Sequence, residues 1–394
     1  MKISVLNERE DFQKIFLQSL NQFLMARYDN SLEVLPAGHG KISFRKNSLL
    51  NLIYTDELPL SVKIKFIGEF KYSSNLFRHI LQNTYCYLAV RSFTQRIFSP
   101  VFFDISNPLP EMRTWLFLPG NHSIRIIDTE KNHSIVFIKK GFDTNFLRAD
   151  AMTRISHPYL KAPKVLETNS DWLWYVEECI TGLPINKITD PIRMESMLFD
   201  AQRNLGKLRD NTLTEINIKA YLKRVLTEIH IIIDKTKQIE DSLIHELHKF
   251  MLIVSEIDLN SPDFLLGLCQ SHGDFQPANI LSDTNSVWII DWEYSAQRST
   301  MYDFLVFTTM SRTGAGLTSR LLNEYRKIES DDGINSWGYF QKGDPIYLVS
   351  VFLVEDLHLR LKEIQTDEII NKGVGIKSWV TQVQDFYSIV NRIF

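Results

Sequence analysis

The chain has 394 residues, 44% hydrophobic and 23% charged, with a formal net charge of −3. That supports two or three packed units and excludes the strongly basic footprint of a nucleic-acid-binding protein. Three scattered cysteines, Cys86, Cys179 and Cys269, form no CxxC pair, so neither a zinc site nor a disulfide framework is expected. The opening MKISVLNEREDF turns charged too early for a signal peptide, and the apolar runs are too short to span a bilayer, so a cytoplasmic setting is expected.

Residues 1 to 112 read as an accessory α+β domain. Asp11 to Ala26 places Phe12, Ile15, Phe16, Leu20 and Phe23 at helical spacing. A loop with Pro36, Gly38, His39 and Gly40 follows. Ser61 to Phe66 alternates apolar and lysine residues, which predicts a half-buried strand. Asn75 to Val90 predicts a second helix, and Phe102 to Glu111, with Pro108 and Pro110, a connector. Between 61 and 100, Lys63, Lys65, Lys71, Arg78, Arg91 and Arg96 face only Glu69. This is either a solvated basic face or a dock for an anionic partner such as a membrane surface or lipid-linked substrate.

From Arg113 the pattern becomes strand-rich: Thr114 to Leu118, Ser123 to Asp128 and Ser134 to Lys139, with a turn through Gly120 between the first two. Thr144 to Ile155 predicts a helix carrying Asp150; Val165-Leu166 and Trp172 to Val176 predict two more strands. Asp190-Pro191 is a helix start, and Tyr221 to Ile232, Leu243 to Val254 and Pro345 to Ile364 follow as helices. In the last of these, Glu355, Asp356 and His358 interrupt the apolar run, which would suit a cationic or hydroxyl-rich ligand if they faced a cleft. Trp292, Trp337, Tyr339 and Trp379 are candidates for an aromatic wall, or simply core residues.

The densest stretch is Leu268 to Tyr294, LCQSHGDFQPANILSDTNSVWIIDWEY. Asp274 stands two residues after His272, Asn279 five after Asp274, and the apolar Val287 to Ile290 delivers Asp291. Protein kinases carry H-R-D-L-x-x-x-N followed by a metal-binding Asp. With Gly273 in place of the Arg, and D-W-E opening on Asp291, the stretch resembles the aminoglycoside phosphotransferase and choline kinase family. The likeness covers about residues 113 to 394. It implies an α+β, bilobal kinase-like fold: a small antiparallel-sheet N-lobe with its hinge over 113–182, and a mostly helical C-lobe over 183–394.

The resemblance also implies roles. Asp274 would be the catalytic base, with His272 beside it organising the loop by bonding backbone near Asp291. Asn279 and Asp291, hard oxygen donors, would hold Mg²⁺. Val136-Phe137-Ile138-Lys139 has the form of the phosphate-binding lysine strand, with Asp150 as the lysine's partner. Without the motif, the same lysine is a solvated strand end and Asp150 a surface residue. Gly120 and Ser123 would lie over the ATP phosphates, and backbone near Glu178 and Ile180 would meet the adenine edge. Asp303 would buttress the catalytic loop or cap a helix. The expected function is ATP- and Mg²⁺-dependent phosphorylation of a small-molecule hydroxyl: a sugar, polyol, amino alcohol or aminoglycoside. By likeness of the PGNHSIRIID stretch, a sugar or polyol of surface-polysaccharide metabolism is preferred. A kinase-like scaffold without turnover is the alternative. A protein kinase is disfavoured by the lack of an A-P-E segment after Asp291.

Overall fold

The computed structural model describes residues 3–28, 32–67, 70, 76–91, 93–236, 239–260, 264–283, 286–330, 344–370 and 372–390. The chain divides into two units. Residues 1–158, 162–189 and 281–284 form the first; 159–161, 190–280 and 285–394 form the second.

The first unit begins with α1 (Ile3–Arg9) and α2 (Phe12–Arg27). Asp11 caps α2 by accepting a hydrogen bond from the Lys14 amide. Then come β1 (Val34–Leu35), β2 (Ile42–Asn47), β3 (Leu52–Thr55), α3 (Leu60–Phe66), α4 (Leu76–Val90), α5 (Gln95–Phe98) and β4 (Val101–Ile105). The strands β5 (Trp115–Pro119), β6 (Ser123–Asp128) and β7 (His133–Ile138) follow, then α6 (Thr144–Ser156), β8 (Val165–Thr168), β9 (Trp174–Glu178) and β10 (Leu183–Pro184). Nine strands make one sheet in the order β1-β4-β2-β3-β5-β6-β7-β9-β8. Every neighbouring pair in it is antiparallel.

Residues 1–112 are therefore not set apart from the strands after them. β3 pairs with β5 through Ile53↔Phe117 and Tyr54↔Leu116, so the sheet runs straight across the boundary expected near residue 112. The core runs across it as well. Phe16, Leu20 and Phe23 of α2 bury with Phe103, Phe117 and Phe137 of the sheet, and the Phe23 and Phe137 rings stack 4.7 Å apart.

Two local expectations fail. Residues 61–66 belong to the helix α3, entered from Pro59, and not to a strand. Lys63 is buried, its ammonium 4.9 Å above the Tyr54 ring, while Ile64 is exposed. Burial therefore follows helical spacing, which a six-residue window cannot separate from alternation. Residues 101–105 form a strand inside the sheet, and only the rest of 102–111 is connector. The Gly38–Gly40 loop is pinned by that strand, since all three of its amides donate to the Asp104 carboxylate at 2.7–3.0 Å.

The second unit is mostly helical. It contains α7 (Pro191–Thr212), β11 (Thr214–Asn217), α8 (Ile218–Lys235), α9 (Asp241–Asn260), β12 (Leu265–Ser271), β13 (Ile280–Ser282, shared with the first unit), β14 (Val287–Ile289), β15 (Ala296–Ser299), α10 (Tyr302–Thr309), α11 (Leu317–Glu329), α12 (Pro345–Glu363) and α13 (Val374–Val390). Asp190 caps α7 with Pro191 in its first turn, as the sequence predicts. β12 is the middle strand of a small antiparallel sheet, between β11 and β15. One apolar cluster joins α8, α9, α12 and α13 beneath that sheet. The expected α+β class, an antiparallel-sheet unit and a mostly helical unit, is the one found.

Candidate active site

β12 runs out into His272-Gly273-Asp274, and the backbone there admits little variation. Gly273 has φ +88°, and a Cβ on it would stand 2.2 Å from the Tyr294 carbonyl oxygen. That accounts for glycine between the histidine and the aspartate. Asp303, in the first turn of α10, accepts from the His272 amide at 2.7 Å and the Gly273 amide at 2.9 Å. Burial pushes its carboxyl above the ordinary range, while the two amides pull it back. Asp303 is thus the loop's support.

His272 has both ring nitrogens on backbone. The Asp274 amide donates to Nδ1 at 3.2 Å, and Nε2 lies 2.9 Å from the Ile290 carbonyl. An accepting Nδ1 places the proton on Nε2, so the ring is a neutral spacer between the two halves of the loop and not a proton donor to substrate. Beyond it, Pro277–Asn279 forms a single 3-10 turn.

Asp274 is nearly buried, with both carboxylate oxygens engaged. Oδ2 accepts from Asn279 Nδ2 at 2.9 Å and from Gln276 Nε2 at 2.8 Å. Oδ1 accepts from Arg312 Nε at 3.1 Å. Asn279 Nδ2 also donates to the Asp274 carbonyl, which leaves the amide oxygen as its uncommitted chemistry. The Ile290 amide donates to the Asn279 carbonyl at 3.0 Å, which brings Asp291 alongside. Asp291 itself is left-handed, φ 69°, a conformation aspartate tolerates better than most residues.

Arg312 carries no motif and is missed by sequence reading. Its guanidinium reaches the Asp274 carboxylate, the Gly273 carbonyl at 3.1 Å and the Asp356 carboxylate at 3.5 Å. Asp356 is also held by Arg360 at 2.9 Å. Burial works against ionised Asp356, but Arg360 and Arg312 outweigh it and hold it below the usual carboxylate range. The acidic pair of α12 is accordingly not a ligand-facing surface. Glu355 is buried and accepts from Tyr221, the Ser299 amide and the Ser299 hydroxyl at 2.5–2.6 Å. Burial lowers His358 to about 3, which makes it a neutral imidazole beside Glu228. Trp292 and Trp379 are core residues, the first donating to the Ile289 carbonyl. Trp337 and Tyr339 lie outside the described residues.

The candidate phosphate-binding residues lie in the first unit. The Gly120 amide donates to the Ser123 carbonyl at 2.9 Å and closes the β5–β6 turn, while the Lys139 amide donates to His122 at 2.8 Å. The ammonium of Lys139 is buried against Glu10 Oε1 at 2.5 Å. The ion pair seen for this lysine is with Glu10, where the resemblance implies Asp150. Asp150 is committed to Arg154 at 3.0 Å and to the Tyr175 hydroxyl at 2.5 Å, in a cluster that continues through Glu177 to Arg125. Alternation explains the difference: Tyr175 and Glu177 project from one face of β9 and bind α6 there. At the segment expected to meet adenine, the Glu178 amide donates to the Lys164 carbonyl and the Cys179 amide to Asn132. Ile180 follows just beyond β9.

Among the described residues no three His, Cys, Asp or Glu side chains cluster as a metal site. The pair Asn279 and Asp291 instead fits a cation that takes its remaining ligands from phosphate and water, as Mg²⁺ does.

No family model matches this chain, and no curated sequence matches it. Solved structures do. An ethanolamine kinase from Plasmodium vivax is 14% identical over 84% of this chain and 96% of its own, with a TM-score of 0.43. An aminoglycoside phosphotransferase, APH(4)-Ia, in a ternary complex with AMP-PNP and hygromycin B, is 11% identical over 70% of this chain and 93% of its own, at 0.45. A choline/ethanolamine kinase family protein from Mesorhizobium loti is 12% identical over 78% and 99%, at 0.37.

Proposed function

We propose that the chain is an ATP- and Mg²⁺-dependent phosphotransferase acting on a hydroxyl of a small molecule. The observation that carries this reading is the closed loop of the second unit: Asp274 bonded to Asn279, Asn279 bonded to the residue before Asp291, and the backbone under both held by Asp303. Phosphoryl transfer asks for positioning and charge neutralisation more than covalent help. Asp274 accepts a hydrogen bond from the acceptor hydroxyl, orients its oxygen and takes its proton as transfer proceeds. Asn279 Oδ1 and the Asp291 carboxylate would hold Mg²⁺, which supplies neutralisation of phosphate charge. The Lys139 ammonium serves the α- and β-phosphates, with Gly120 and Ser123 beside it and Ile180 backbone toward adenine.

The charges around Asp274 favour a neutral acceptor. The Arg312 guanidinium already sits on this carboxylate, and Glu355 and Asp356 are spent on internal partners. A cationic acceptor would meet the like charge of Arg312 there; a sugar or polyol would not. The test is ATP consumption across a panel of sugars, polyols, amino alcohols and aminoglycosides. A sugar or polyol is expected to stimulate turnover well above the ATP-alone rate. A panel with no stimulating acceptor would favour the scaffold alternative.

A peripheral membrane contact is a second proposal, carried by α4. Leu76, Phe77, Ile80, Leu81 and Tyr87 share one exposed face of this helix, while Cys86, Ala89 and Val90 bury the other. Exposed Phe93 and Ile97 continue the apolar surface, and α4 contains no acidic residue. Arg78, Arg91 and Arg96 are exposed among these residues. Apolar side chains interleaved with arginine match an anionic bilayer surface. The protein should cosediment with vesicles of phosphatidylcholine and phosphatidylserine, and Phe77→Asp with Ile80→Asp should abolish this. Equal recovery with pure phosphatidylcholine, or none with either, would refute it.

A further inference from the structure

We infer that Arg9 and Glu10, from the N-terminal segment, are positioning residues of the nucleotide site; the inference rests on the phosphotransferase reading. Glu10 lies between α1 and α2, its amide donating to the Leu6 carbonyl and its carbonyl accepting from the Phe12 amide. Leu6, Phe12 and Phe16 on either side are in the sheet's apolar core with Ile124 and Phe137, so the junction is fixed against β6 and β7. The Glu10 side chain is fully buried, and a buried carboxylate requires partners for both oxygens. Oε1 takes the Lys139 ammonium at 2.5 Å, and Oε2 takes Arg9 Nη2 at 2.7 Å. The same Arg9 nitrogen donates to the Asn121 carbonyl at 2.6 Å, inside the turn from Gly120 to Ser123.

One carboxylate therefore ties together the two parts that would cradle phosphate, the strand-end lysine and the turn. Removing either tie would let its part move independently. The lysine motif needs a carboxylate to aim its ammonium, and here that group arrives from 129 residues earlier in the chain. A buried ion pair is weak as a device for stability, since apolar residues would fill the same space at no loss. A pair that fixes a phosphate-binding lysine has a reason to be ionic.

The experiment is a double-mutant cycle read by ADP titration in the presence of Mg²⁺. Glu10→Gln should weaken ADP binding roughly ten- to hundredfold, the scale of a lost charge-assisted hydrogen bond. Lys139→Met should weaken it comparably, and the double variant should be no weaker than Lys139→Met alone, because Glu10 acts through the lysine. Arg9→Gln, which leaves the Lys139–Glu10 pair intact, should give a smaller loss and guards against a Glu10 variant that fails to fold. Unchanged ADP affinity in folded Glu10→Gln, or additive losses in the double variant, would overturn the inference and leave the phosphotransferase reading standing. Absence of ADP binding by the unaltered protein would remove both.

Discussion

Asp274→Asn should lower acceptor-dependent ATP consumption by roughly 10²–10⁴-fold, the usual contribution of a positioned acid or base. The variant is nearly isosteric but sets its NH2 against Arg312 Nε or the Asn279 and Gln276 amides, so an unchanged unfolding midpoint is the control that makes the cause chemical. An amide oxygen still orients a hydroxyl but cannot take its proton. Arg312 keeps Asp356 and the Gly273 carbonyl, so the loop does not lose its cation. The lost interaction belongs to the transition state, so kcat and kcat/KM should fall together while nucleotide affinity stays close to the parent's. Turnover within about twofold of the parent would remove Asp274 from the role, since twofold is far below any base contribution.

Gly273→Ala should destabilise the second unit by roughly 3–5 kcal/mol, combining overpacking with the cost of left-handed backbone. The Cβ has nowhere to go. Its obstacle is the Tyr294 carbonyl, which also accepts from Arg298 Nη1 at 2.8 Å and is fixed by it. The amide of Gly273 is meanwhile held by Asp303. Urea denaturation would read the loss as a lower midpoint with unchanged slope. Gly206→Ala is the internal control: it stands within α7 with nothing near its would-be Cβ, and alanine there should be neutral or stabilising. If Gly273→Ala matched the parent in stability, the loop could not have the backbone described.

The candidate loop was legible because the chemistry proposed for it requires particular residue types at short spacing. His272, Asp274, Asn279 and Asp291 all lie within twenty residues, and local geometry brings them together. Helices with strong caps, such as α7 behind Asp190-Pro191, were legible for the same local reason. What escaped was long-range. Glu10 reaches Lys139, and Arg312 reaches Asp274, through tertiary packing that leaves no spacing rule in sequence. The boundary near residue 112 failed because β3 and β5 look like separate strands until paired. Glu355 and Asp356 looked like ligand groups because burial with internal partners cannot be distinguished from exposure by pattern alone.

In the proposed function Asp274, Asn279 and Asp291 serve one magnesium–nucleotide. Calorimetric titration of AMP-PNP with and without Mg²⁺, on the parent and on Asp291→Asn, tests it most directly. Affinity should depend strongly on Mg²⁺ in the parent, and most of that dependence should disappear in Asp291→Asn while the folded signal stays intact. Binding equally tight without Mg²⁺, the same metal dependence in both proteins, or no binding at all would contradict the account.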